Sequence, residues 1–136
     1  MISNDRIQAG LISYLKSKTV LTNKLTACGS GGDEIREDNW KGREFSYPVV
    51  RVAMLSNTSS DKCEYSEFTC AIMVFSEKAS SKEADEISGI ISTILHNKGF
   101  TSNSIAFSTV VTNLVPSMAQ SERVWRSEIL LRGIAS

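Results

Sequence analysis

One histidine, His96, and three cysteines, Cys28, Cys63 and Cys70, are the side chains that could do nucleophilic or acid–base work. His96 closes an apolar helical pattern, where a cation complements the negative end of the helix dipole, so a capping role is expected in place of a general base. A cysteine nucleophile needs a base beside it, and no sequence relation ties His96 to Cys28. The cysteine spacings match neither paired C-x-x-C zinc ligands nor a disulfide-dense secreted scaffold. Reduced thiols are the simpler expectation.

The run Gly29-Ser30-Gly31-Gly32 suggests a phosphate cradle. No Lys-Ser or Lys-Thr follows it and no clear strand precedes it, so neither nucleotide-binding pattern is met and a turn is expected. Asp33, Glu34, Glu37 and Asp38 lack the alternating oxygen ligands and glycine of a calcium loop, which leaves a solvated acidic face. Arg51, Arg123, Arg126 and Arg132 would reach a phosphate only if a sheet aligned them, and nearby acids balance them. No catalytic residue, metal ligand or cofactor is assigned.

Composition bounds the rest. A length of 136 residues suits one domain, 1–136, with a single core. Fifteen basic and fifteen acidic residues cancel, which disfavours a general DNA binder because counterion release needs excess positive charge. The N-terminus shows no basic segment followed by an unbroken apolar run, so neither a signal peptide nor a membrane span is expected and the protein should stay where it is made.

The elements that must position these residues follow from periodicity. Ile7, Leu11, Ile12 and Leu15 predict a first helix from an Asn4 cap to about Lys18. The apolar stretch from Val20 to Leu25 is short and allows at most a turn of helix. Residues 33–47 are polar and predict a long loop with a short strand around Ile35 and an isolated Trp40. After Pro48, residues 49–55 predict a strand, 56–61 a turn, and 65–75 the second arm of a hairpin. A helix over 81–97 is signalled by serine, by acids in the first turn and by Ile87, Ile90, Ile91, Ile94 and Leu95, with Gly99 as its stop. Residues 104–115 and 122–134 predict two strands separated by 116–121; on the last, Trp125, Ile129 and Leu131 face one way and Arg126, Glu128, Leu130 and Arg132 the other.

The order α-β-β-α-β-β fits an α+β fold, a two-layer sandwich with helices packed on one face of an antiparallel sheet. The strand 65–75 is apolar on both faces: Cys70, Ile72 and Val74 alternate with Ala71, Met73 and Phe75. One helical layer covers one face, so a second copy of the chain is expected on the other. A charge placed at Met73 or Phe75 would dissociate an oligomer if the residue is interfacial and unfold the chain if it is core.

Three segments in this order carry a family resemblance: the helix Ile7 to Leu15 with its short apolar sequel and polar loop, the strand start Tyr47-Pro48-Val49-Val50-Arg51-Val52, and Phe68 to Phe75 running through Ser76-Glu77-Lys78-Ala79 into the helix that ends Ile94-Leu95-His96. From about Asp5 to Arg132 the chain resembles the tail terminator (tail completion, head–tail joining) proteins of long-tailed bacteriophages. It departs from them in Phe75-Ser76, where Trp-Ser is frequent, and in the glycine-rich stretch after Cys28.

The resemblance implies a structural virion protein of the tail–neck region, made in the host cytoplasm. It would form a homohexameric ring that caps the tail tube, ends its polymerisation and joins it to a head-completion or neck protein. Its partners would be itself, the tail tube protein and that neck protein, with DNA passing the lumen without specific binding and no membrane contact. Neighbouring sheets and the segments 33–47 and 56–64 are expected to carry the contacts, through Ile35, Arg36, Trp40, Arg51, Met73, Phe75 and Arg126. The rival reading is a small α+β ligand-binding or regulatory module acting as a dimer; an enzyme is the weaker rival.

Overall fold

The computed structural model describes residues 1–59 and 65–136. The described residues form three α-helices, α1 (Asn4–Lys16), α2 (Thr19–Ala27) and α3 (Lys82–Leu95), a short 3-10 turn at Gly32–Glu34, and six strands. These are β1 (Ile35–Glu37), β2 (Val49–Ser59), β3 (Ser66–Ser76), β4 (Lys98–Ser102), β5 (Ile105–Ala119) and β6 (Trp125–Ala135). They form one sheet in the order β1-β2-β3-β6-β5-β4, curled into a half-barrel.

The α+β class stands, and the expected order is corrected to α-α-β-β-β-α-β-β-β. Nor is the sheet wholly antiparallel, because β1 runs parallel to β2 with Arg36 beside Arg51. The first helix stops at Lys16 and its N-cap is Ser3, not Asn4. Gly99 is not a helix stop but part of β4, since α3 has already ended at Leu95. The expected turn at 56–61 is strand as far as Ser59, and the remainder of that segment, with Cys63, lies outside the described residues.

A single core explains the arrangement. On β3 the even positions Phe68, Cys70, Ile72 and Val74 point inward, and the register aligns them with Val50, Val52, Ile129 and Leu131 on the flanking strands. Ile7, Leu11 and Leu15 of α1, Leu21 and Leu25 of α2, and Ile87, Ile91 and Leu95 of α3 complete one buried cluster. Their three- and four-residue spacing puts each set on one helix face.

The curl lets α1 touch both ends of the sheet. Its Gln8 Nε2 donates to the Val52 carbonyl at one end, and Ser102 Oγ donates to its Gly10 carbonyl at the other. Gly10 is required there: a Cβ would stand 2.7 Å from the Phe107 ring. Tyr14 stacks on Phe100 with centroids 3.6 Å apart, which fixes β4 against the helix. The helix α3 is tied to the sheet by the Ser76 hydroxyl donating to Glu83, and by Thr109 Oγ1 donating to the Leu95 carbonyl at 2.6 Å.

Candidate functional site

Of the seven residues expected at contacts, three meet at one corner of the sheet's outer face. The β1–β2 pairing sets Arg36 and Arg51 side by side, and the loop after β1 brings Trp40 over them. The Arg36 guanidinium carbon lies 4.0 Å and that of Arg51 5.4 Å from the indole centroid, within cation–π range. Arg51 is 8% exposed and donates from Nη1 to the Glu34 carbonyl at 2.6 Å and to the Val50 carbonyl at 3.0 Å. Burial holds its pKa below the ordinary arginine value, with Glu34 opposing that shift. The side chain of Glu34, itself 7% exposed, accepts the Ser46 N–H at 3.0 Å and pairs with Arg36 at 3.5 Å. An acid and two arginines thereby fasten the 38–46 loop to the sheet. The same corner opens onto a depression of about 670 Å³ lined by Gly29, Gly31, Asp33, Arg36, Arg43 and Phe45 among others.

Two of the seven are buried within the chain. Ile35 is fully buried in the core cluster, because the short strand β1 turns its one large apolar side chain inward. Met73 is on the outer face, between Arg51 and Glu128 in register, but at 9% exposure its neighbours already cover it. A charge at Met73 therefore falls on a buried position. Phe75 and Arg126 are opposite each other on β3 and β6, both half-buried, and remain available on the outer face.

His96 is the C-cap residue of α3, in the capping position expected of it, and its ring makes a further contact. Its Nδ1 accepts the Val111 N–H of β5 at 3.2 Å. The ring fastens the sheet to the end of α3. Cys28 is half-buried beside α3, and burial, then Glu83, pushes its thiol pKa up; burial pushes that of Cys70 up to about 12. Both are thereby kept from the thiolate form that nucleophilic chemistry needs. Among the described residues no three His, Cys, Asp or Glu side chains group as metal ligands, and no helix is long and apolar enough to cross a membrane.

Sequence reasoning missed the exposed apolar residues at the sheet's free edges. Leu55, on β2, is 60% exposed, and Leu114 and Met118, on β5, are 46% and 49% exposed. An exposed leucine has no sequence signature of its own, because only the pairing of neighbouring strands determines which edge is left open.

These features define an α+β domain: a curled six-stranded mixed sheet with helices on its inner side and arginines 36, 51 and 126 on its outer side, the first two covered by Trp40. The same fold occurs in a chain from the virion of a native gene transfer agent particle, which superposes with a TM-score of 0.70 at 13% identity over 95% of this chain and 93% of that one. A second solved structure, whose name carries no functional description, matches with a TM-score of 0.67 at 13% identity over 100% of this chain and 97% of the other. No family model and no curated protein matches the sequence. At such identity the likeness establishes the fold.

Proposed function

We propose that this chain is a structural virion protein of a tailed phage-like particle, without a catalytic step, that assembles as a homohexameric ring on the end of the tail tube. In that position it ends tube polymerisation and joins the tube to a head-completion or neck protein. The observation that carries the reading is the full-length likeness to a chain of a gene transfer agent virion. That likeness supports a virion structural protein, and the tail terminator role rests on the resemblance of the sequence.

The physical features support a ring subunit. The outer sheet face keeps Arg36, Trp40, Phe75 and Arg126 accessible, while the helices occupy the inner face, so lateral and axial contacts have separate surfaces. The chain's formal net charge of zero suits a lumen that DNA traverses without being held. A Cys70 thiol protected by burial and a histidine held on a backbone N–H suit a building block better than an active site.

Purified protein added to growing tail tubes should bind at one end only and arrest elongation, read as a fixed tube length by electron microscopy. Decoration along the tube wall, or elongation at an unchanged rate, would contradict the assignment.

A further inference from the structure

All three helices pack their apolar residues into the inner cluster, which leaves the outer face of the central strands without a helical layer. The register sets the rows of that face. On β6, Glu128, Leu130 and Arg132 point outward. Met73 and Ala71 of β3 stand opposite Glu128 and Leu130, and Val115 and Val110 of β5 stand opposite Glu128 and Arg132. Leu130, Val110 and Val115 are half-buried, so apolar surface remains open in the middle of the face. A sheet face that meets only water carries polar residues at such positions.

The charges on this face are arranged about Leu130, with Glu128 two residues before it and Arg132 two residues after. Neither makes an ion pair among the described residues. A twofold axis between two facing sheets, crossing β6 at Leu130, lays that strand antiparallel over its copy. Leu130 then meets the partner's Leu130, Glu128 the partner's Arg132, and Arg132 the partner's Glu128. β5 obeys the same symmetry, because its register with β6 sets Val115 over the partner's Val110 and Val110 over the partner's Val115. Facing sheets cross at about 30°, which displaces side chains two residues from the axis by about 3–4 Å, within the reach of an arginine.

We infer that the outer face is a twofold contact between two copies of this chain, with Leu130, Val110 and Val115 at its apolar centre and two Glu128–Arg132 pairs beside them. The self-complementary order of charge and apolar surface is what selects a second copy as the occupant. A cyclic ring holds only head-to-tail contacts, so the pair belongs to chains outside the ring and goes beyond the ring reading.

The experiment is native mass spectrometry of the full chain over a range of concentrations, without tail tubes. The unaltered chain should show a dimer. Glu128→Arg sets arginine over arginine and Arg132→Glu sets glutamate over glutamate, so either change alone should weaken the dimer by about tenfold or more, with circular dichroism unchanged. An equimolar mixture of the two variants should give a one-to-one heterodimer, and the chain carrying both changes should recover the dimer by itself. If a charge reversal disturbs the fold, Val110→Lys on the same face takes its place and should abolish the dimer. No dimer from the unaltered chain at any concentration, dimers undiminished in both single variants, or variants that do not pair in the mixture would overturn the contact. Rings without dimers would overturn it and leave the ring reading standing; dimers from a chain that ignores tail tubes would do the reverse.

Discussion

Phe68→Ala should lower stability by about 3–5 kcal/mol, the range for removing a buried phenylalanine. Phe68 is 1% exposed near the middle of the curled sheet, and its ring meets Phe107 edge-on with centroids 6.1 Å apart. The ring also lies against Gly133 of β6, where a Cβ would stand 2.6 Å from its Cζ and 3.0 Å from the Ser108 carbonyl. Against a total of about 5–15 kcal/mol for such a domain, the loss should move the thermal midpoint down by roughly 10–20 °C. Gly133→Ala should also destabilise, since the neighbouring carbonyl is backbone and cannot move aside cheaply. Combining the two changes should cost less than their sum, because the added methyl occupies part of the space the ring leaves. Strict additivity in thermal or urea unfolding would mean that the two residues do not share this contact.

Trp40→Ala should cost about 1–3 kcal/mol, drawn from two cation–π contacts and the cover the indole gives to Arg51. The buried guanidinium of Arg51 keeps its two carbonyl partners, but it loses the ring that separates it from solvent. Amide hydrogen exchange in 38–46 should accelerate while the amides of β3 stay protected. Trp40→Phe retains a π face and should restore much of the loss. An unchanged exchange pattern in Trp40→Ala would mean that the Glu34–Ser46 bond alone fastens the loop.

Much of this fold was legible in the sequence, and the misses have local causes. The helix α3 was read from five apolar residues at helical spacing and an acidic first turn, and all of Ile87, Ile91, Ile94 and Leu95 are buried. The helix α2 was underread because only Leu21 and Leu25 face the core, and the residues between them are polar or poor helix formers. β4 hid behind Lys98, Gly99 and Thr101, whose exposure erases any alternation. β5 runs past Pro116, which is tolerated because it falls in the register shift of the β5–β6 ladder between Val115 and Met118, where an N–H is not needed.

The candidate site shows the same division. Arg36, Trp40 and Arg51 stood out as large side chains in or beside a polar loop, but their stacking depends on β1 pairing in parallel with β2 across the intervening loop. No local pattern encodes that pairing. Ile35 belongs to a polar segment expected to make contacts, yet the short strand expected around it turns its apolar side chain into the core. Met73 was correctly placed on the outer face, but the closeness of Arg51 and Glu128 could not be read before the register was known.

The central claim is that this chain is a ring-forming virion subunit. Native mass spectrometry over a range of concentrations, with negative-stain images of the same samples and of samples mixed with tail tubes, tests it most directly. The account predicts six copies of the 14.9 kDa chain in a six-fold ring, free or on the tube end. A chain that remains a monomer or dimer at every concentration and ignores the tubes would contradict it.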